Sequence, residues 1–169
     1  MKRIVSLAAA AILATAASAQ TLKSPDGNLT LEFSLADSGA PAYTLAYKGK
    51  TVVKPSRLGF VFVDNAFRTF GAYDEKVEDK LFSMREGFTL EGTETASFDQ
   101  TWEPVWGENA EIRNHYNELL VKLRRDGRGY LMNIRFRLYD DGMGLRYEFP
   151  EQRALGHFVL EEEYTQFAM

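Results

Sequence analysis

Between Thr101 and Glu118 the chain reads TWEPVWGENAEIRNHYNE. This short stretch holds both tryptophans, one of the two histidines and the carboxylates of Glu103, Glu108, Glu111 and Glu118. Two kinds of chemistry use such residues. A carboxyl pair cleaves a glycosidic bond with retention at a separation of about 5–5.5 Å, or with inversion at about 6.5–9.5 Å. Indole and phenol faces stack on the axial hydrogens of a sugar ring, and Trp N–H and Tyr O–H bind its hydroxyls. A strand laid on an ordinary core needs no such mixture, whereas a groove or a domain contact does. The candidates for a substrate rim or an interdomain contact are therefore Trp102, Trp106, Glu108, Arg113, Asn114, His115, Tyr116, Asn117 and Glu118.

Each candidate also has a plainer reading. Nothing in the sequence sets two of these carboxyls, or any of Glu161, Glu162 and Glu163, at a catalytic separation. They read as solvated charges on sheet faces, and no catalytic residue is assigned. The tryptophan pair reads first as core or interdomain packing and second as a sugar platform. Pro104 fixes the backbone between the two rings and Gly107 permits a turn just after them, which makes a shaped loop. Arg113, Asn114, Asn117 and Glu118 must find partners if buried, because an orphaned polar group costs about 1–3 kcal/mol. Arg113 is expected to bridge to Glu108 or Glu111, and the cluster reads as the scaffold of the loop and rim. His115 and Glu118 are three apart, so a strand would put them on opposite faces, which disfavours a zinc pair. Asp140-Asp141-Gly142 lacks the alternating oxygen ligands and distal Glu of a calcium loop and reads as a hairpin turn.

The elements that must position these groups are strands, because the apolar pattern has period two almost throughout. Leu29, Leu31, Phe33 and Leu35 alternate with Thr30, Glu32 and Ser34, with Asn28-Leu29-Thr30 as a strand start. Tyr43, Leu45 and Tyr47 repeat the pattern, and Lys48-Gly49-Lys50 turns the chain into Thr51–Val53. Leu119, Val121 and Leu123, then Met132, Ile134, Phe136 and Leu138, form half-buried strands with one wet face. Leu58 to Val63 is apolar on both faces and reads as a strand covered on both sides. Asp126-Gly127 and Asp140-Asp141-Gly142 are turns. Val77, Leu81 and Met84 stand at helical spacing, so Asp74–Met84 reads as a helix or a charged loop. The fold class is all-β, a large antiparallel sandwich.

The first nineteen residues have the form of an export signal. Lys2 and Arg3 precede an apolar run from Ile4 to Ala16, and Ala17-Ser18-Ala19 sets cleavage before Gln20. That run is shorter than the roughly 20 residues a membrane span needs, so no span is expected and the mature protein is expected to be soluble. The remaining 150 residues suit one domain. Losing Lys2 and Arg3 moves the formal charge from −4 to −6. An acidic domain without a basic run is a poor binder of nucleic acid. The absence of cysteine excludes disulfides and thiolate chemistry. Residues Phe158 to Met169 read as a strand entering further structure.

Ser24–Phe33 (SPDGNLTLEF), Gly39–Gly59, Thr101–Glu118, Phe136–Pro150 (FRLYDDGMGLRYEFP) and Glu161–Phe167 (EEEYTQF) occur in this order. Together they resemble the N-terminal domain of glycoside hydrolase family 97, which comprises periplasmic α-glucosidases and α-galactosidases. The resemblance implies the two-sheet super-sandwich also found in sugar mutarotases, present here as an incomplete N-terminal portion. It implies a catalytic barrel downstream and an oligosaccharide substrate, with α-glucoside favoured over α-galactoside. It also implies a calcium ion in the complete enzyme, held by glutamates outside this chain. The expected location is periplasmic or secreted, and the fragment alone is expected to be inactive. The alternative is a free-standing, non-catalytic carbohydrate-binding sandwich. A mutarotase-like enzyme would need a His acid beside a carboxylate, and neither His115 nor His157 has an obvious partner.

Overall fold

Strand follows strand along this chain because polar and apolar residues alternate and Gly-containing turns break the runs. A computed structural model describes residues 19–64, 80–127, 129–152, 155 and 158–169. Its eleven strands are β1 (Gln20–Lys23), β2 (Leu29–Leu35), β3 (Pro41–Tyr47), β4 (Lys50–Arg57), β5 (Phe60–Asp64), β6 (Lys80–Met84), β7 (Phe88–Trp102), β8 (Ile112–Arg125), β9 (Leu131–Leu138), β10 (Met143–Glu148) and β11 (Val159–Glu163). They form three antiparallel sheets, ordered β1-β2-β3-β4, β10-β9-β8-β7 and β11-β5-β6. Among the described residues there is no helix.

The first two sheets make the sandwich. Leu31, Phe33, Tyr43 and Leu45 line the inner face of one, while Leu119, Val121, Ile134, Phe136 and Leu138 line the other. Phe136 is fully buried, with Phe33 and Tyr43 each at a ring distance of 6.0 Å. The third sheet packs its aromatic residues against the end of β10. Phe60 lies 4.3 Å from Tyr147, and Phe62 meets Phe149 and Phe158 at 5.6 and 4.8 Å. In this apolar setting the Tyr147 hydroxyl is pushed up to about 12 by burial. As the middle strand of that sheet, β5 explains the apolar run Leu58–Val63.

Two edges are closed by the chain itself. Gly39 passes so near Phe88 that a side chain there would meet its carbonyl oxygen at 2.5 Å, and the Phe88 N–H donates to the Gly39 carbonyl at 3.0 Å. That contact ties the β2–β3 turn to the start of β7. Residues 164–168 run beside β4: Gln166 N donates to the Arg57 carbonyl at 3.0 Å, and Lys54 N donates to that of Ala168 at 2.6 Å. Within Asp74–Met84 the expectation is corrected, since Lys80–Met84 is a strand paired with β5 and the rest lies outside the described residues. The strand is decided by its pairing with β5, which the helical spacing of Leu81 and Met84 did not reveal.

Truncating Phe136 at the junction of the sheets should lower stability by about 3–5 kcal/mol, measured by urea unfolding of Phe136→Ala. Loss of less than about 1 kcal/mol would contradict its placement between the sheets.

Candidate functional site

The candidate residues lie on one long hairpin. β7 and β8 are the longest strands, paired from Phe88↔Arg125 to Trp102↔Ile112. β9 accompanies β8 only as far as Asn117↔Leu138. Beyond that point β7 and β8 continue as a two-stranded arm, with residues 103–111 as its tip. The tip presents apolar area. Trp102 is half exposed, Trp106 is 89% exposed and Val105 is fully exposed. Gly107 has φ 149°, which lets the chain reverse after Trp106. Glu103, Glu108 and Glu111 are exposed in the same loop.

Arg113 to Glu118 belong to strand β8 rather than to the loop, and strand parity divides them. Arg113, His115 and Asn117 share one face, while Asn114, Tyr116 and Glu118 share the other. Arg113 grips Asp99 with two parallel bonds, Nε to Oδ1 at 2.7 Å and Nη2 to Oδ2 at 2.6 Å. The expected bridge to Glu108 or Glu111 is thus replaced by one to Asp99. The diagonal of the ladder brings Asp99 alongside, whereas the two glutamates lie on the tip. Hydrogen bonding from Arg113 holds the Asp99 carboxyl below its usual range. His115 stands directly across from Asp99, and Asn114 across from Gln100. Asn117 accepts from Ser97 Oγ at 2.6 Å and donates to the Lys23 carbonyl at 2.9 Å, fixing the root of the arm to β1. His157 lies outside the described residues.

The other face carries a cluster that the sequence reading found only in part. Buried Tyr116 stacks on Phe98 at 5.3 Å, touches Tyr139 at 5.3 Å and lies under the Arg137 guanidinium at 4.5 Å. Glu118 accepts from Arg137 Nε at 2.8 Å and also pairs with Arg135. Arg135 reaches on to Glu148, Nε to Oε1 at 2.7 Å and Nη2 to Oε2 at 3.1 Å, and Arg146 joins the same carboxylate at 3.0 Å. Asp99, Arg135, Arg137, Tyr139, Arg146 and Glu148 are the partners, direct or through Arg135, that hold Arg113, Tyr116 and Glu118 in place. Their one sequence signal was the alternation Arg135-Phe136-Arg137 opposite Arg146 and Glu148.

This geometry fixes charges in place. Hydrogen bonding, first from Arg135, holds Glu148 down at about 2, and the same contact raises Arg135. A carboxyl held that low stays ionised and is no general acid near neutrality. Beside the network an open cleft of about 250 Å³ is lined by Arg135, Arg137, Tyr139, Gly144, Leu145 and Arg146. Among the described residues, no three His, Asp or Glu side chains are grouped to hold a metal. No helix there is long and apolar enough to cross a membrane.

Glu148→Gln tests the network. Above about pH 4.5 the ionised carboxylate contributes fully, and its contribution is lost as pH falls through about 2. The variant should be less stable at pH 7 by about 1–3 kcal/mol. The gap between it and the parent should close as pH falls from about 4.5 towards about 2 in a urea-midpoint series. A gap that stays constant over that range would show that Glu148 is not held by the arginines.

Residues 22–169 match the family model described as glycosyl-hydrolase 97 N-terminal. A retaining α-galactosidase of Bacteroides thetaiotaomicron is 29% identical over 127 residues, which is 75% of this chain but 16% of the relative. A glycoside hydrolase family 97 enzyme from Pseudoalteromonas sp. strain K8, solved with panose and with acarbose, superposes with a TM-score of 0.74 at 30% identity. It covers 88% of this chain and 20% of its own. A β-arabinopyranosidase shares the fold at 23% identity, with a TM-score of 0.69. The chain thus spans a fifth or less of the first relatives it matches.

Proposed function

This chain belongs to the glycosyl-hydrolase 97 N-terminal family, and we propose that it serves as the front sandwich domain of an exported, calcium-dependent α-glycosidase. The observation that carries this reading is the family match over residues 22–169, beside relatives whose length lies mostly outside it. In this reading the hydrolytic carboxyls and the calcium ligands sit elsewhere in the complete polypeptide, in a catalytic barrel. The domain braces that barrel and shapes the rim of its oligosaccharide site. The panose complex of the Pseudoalteromonas relative supports a gluco-oligosaccharide substrate, and the α-galactosidase relative is the competing precedent.

Within the domain, the arm tip is the part that fits docking. Trp102, Val105 and Trp106 present apolar area to solvent at the end of a two-stranded ribbon. Such area normally marks an interaction site. For export, support comes from the basic-apolar-small leader and from the fact that β1 begins at Gln20, directly after the expected cleavage point. The same exposed indoles favour the second reading, a free-standing sugar-binding sandwich in which Trp106 stacks on a sugar ring.

Two measurements separate these readings. Residues 20–169 alone should not hydrolyse an aryl α-glucoside, whereas the complete polypeptide should. Turnover by the domain itself, abolished by Glu118→Gln, would refute the division of labour. Trp106→Ala should change the stability of the isolated domain by less than about 0.5 kcal/mol, since the ring is exposed there. In the complete enzyme it should cost up to about 3–5 kcal/mol if the ring packs on the barrel. An unchanged melting temperature with a raised KM would instead make Trp106 a sugar contact.

A further inference from the structure

Residues 164–168 leave the third sheet after β11 and lie along β4, at the edge of the first. Bonds of mixed kind keep them there. Tyr164 N donates to the Gly59 carbonyl at 2.8 Å and Gln166 N to that of Arg57 at 3.0 Å. The Arg57 N–H in turn donates to the Gln166 side chain at 3.0 Å, and Ala168 N donates to the Ser56 hydroxyl at 2.9 Å. Side chains thus stand in for part of a main-chain ladder, and the segment is not itself a strand. Its position needs further support.

Two tyrosines supply it. Tyr43 of β3 is buried, and its O–H donates to the Gln166 carbonyl at 2.9 Å. Tyr147 of β10, in the opposite sheet, meets Thr165 Oγ1 at 2.8 Å. The next link sets the direction of that bond. Thr165 has one hydroxyl proton and donates it to Glu163 Oε1 at 2.5 Å, so the Tyr147 O–H donates to Thr165. Burial pushes both phenols up, so both keep the proton they donate. The third sheet takes part as well. Arg85, just past β6, lies over the Tyr164 ring at 4.1 Å. Phe167 meets the Tyr43 ring edge-on at 6.4 Å. A buried hydroxyl needs some partner. Nothing obliges two from opposing sheets to choose adjacent residues of one segment.

We propose that Tyr43 and Tyr147 form a two-sided clamp that places residues 164–168 by reference to both sheets at once, so that the segment is held or released as one unit. Through Thr165 the clamp also aims the exposed Glu163 carboxylate. The inference rests on bonds within the described residues and does not depend on what the complete enzyme hydrolyses.

A double-mutant cycle in the full chain tests it. Tyr43→Phe and Tyr147→Phe each remove one hydroxyl and keep the ring. Each should raise the unfolding equilibrium constant, read from urea titration, on the order of tenfold. If the segment lets go when either hydroxyl is lost, the double variant should also stand near tenfold. Two independent bonds would instead multiply to about a hundredfold. Amide resonances give a second readout. The Lys54 N–H donates to the Ala168 carbonyl at 2.6 Å and lies in the sheet opposite Tyr147. Its resonance should shift in Tyr147→Phe, while that of Asn114 on the arm stays in place. Thr165→Ser keeps a hydroxyl for Tyr147 and should hold parent values in both measurements. A double variant near a hundredfold, an unmoved Lys54 amide, or a Thr165→Ser chain as altered as Tyr147→Phe would overturn the clamp.

Discussion

Phe136 sits where the two large sheets meet, between Leu119 and Leu145 along its own sheet and against Phe33 and Tyr43 across the core. Successive strand residues point to opposite faces. Burying Met132, Ile134, Phe136 and Leu138 therefore obliges Asn133, Arg135 and Arg137 to face outward. A slip of one residue would exchange the two sets, burying two guanidinium groups and exposing four apolar side chains. The packing of Phe136 thus fixes the register of β9, and through it the place where positive charge appears on the outer face.

The charged network follows from that register. Arg137 stands opposite Glu118 on one neighbour, and Arg135 stands opposite Arg146 on the other. Two arginines face to face would repel. Glu148 relieves this by accepting from both, while Glu118 holds the far side of Arg135. The result is a lattice of alternating charge over β8, β9 and β10, with Glu118, Arg135 and Glu148 partly buried and Arg146 at its exposed end. A lattice of this kind specifies which strands are neighbours more than it adds stability, because partly buried ion pairs gain little beyond their desolvation.

Period-two alternation made the strands legible, since one buried face leaves a regular mark on the sequence. β2, β3, β8 and β9 could be read from Leu31, Tyr43, Val121 and Ile134 and their neighbours. The partners of charged groups could not. Arg113 finds Asp99, 14 positions away, and Glu118 finds Arg135 and Arg137 at 17 and 19. Those distances depend on register, which local spacing does not encode. For the same reason Arg113–Glu118 looked like one polar cluster beside a loop. Once the segment is paired as a strand, it separates into one face around Asp99 and another around Arg135.

The arm presents a separate physical problem. A two-stranded ribbon is marginal in water by itself. The root of this one is held by Phe98 on Tyr116, by Arg137 over the same ring and by Asn117 on the Lys23 carbonyl. Further out, the pair Arg113–Asp99 is about half exposed on both sides. A pair in that setting is screened by water and adds little. Beyond it stand two indoles and Val105, whose apolar area gains nothing from solvent. In the proposed reading, a surface that covers Trp102 and Trp106 would add stabilisation that the outer half of the arm does not draw from the sandwich. An arm anchored at its root in this way could adjust at residues 103–111 without distorting the sandwich, because those residues carry none of the core.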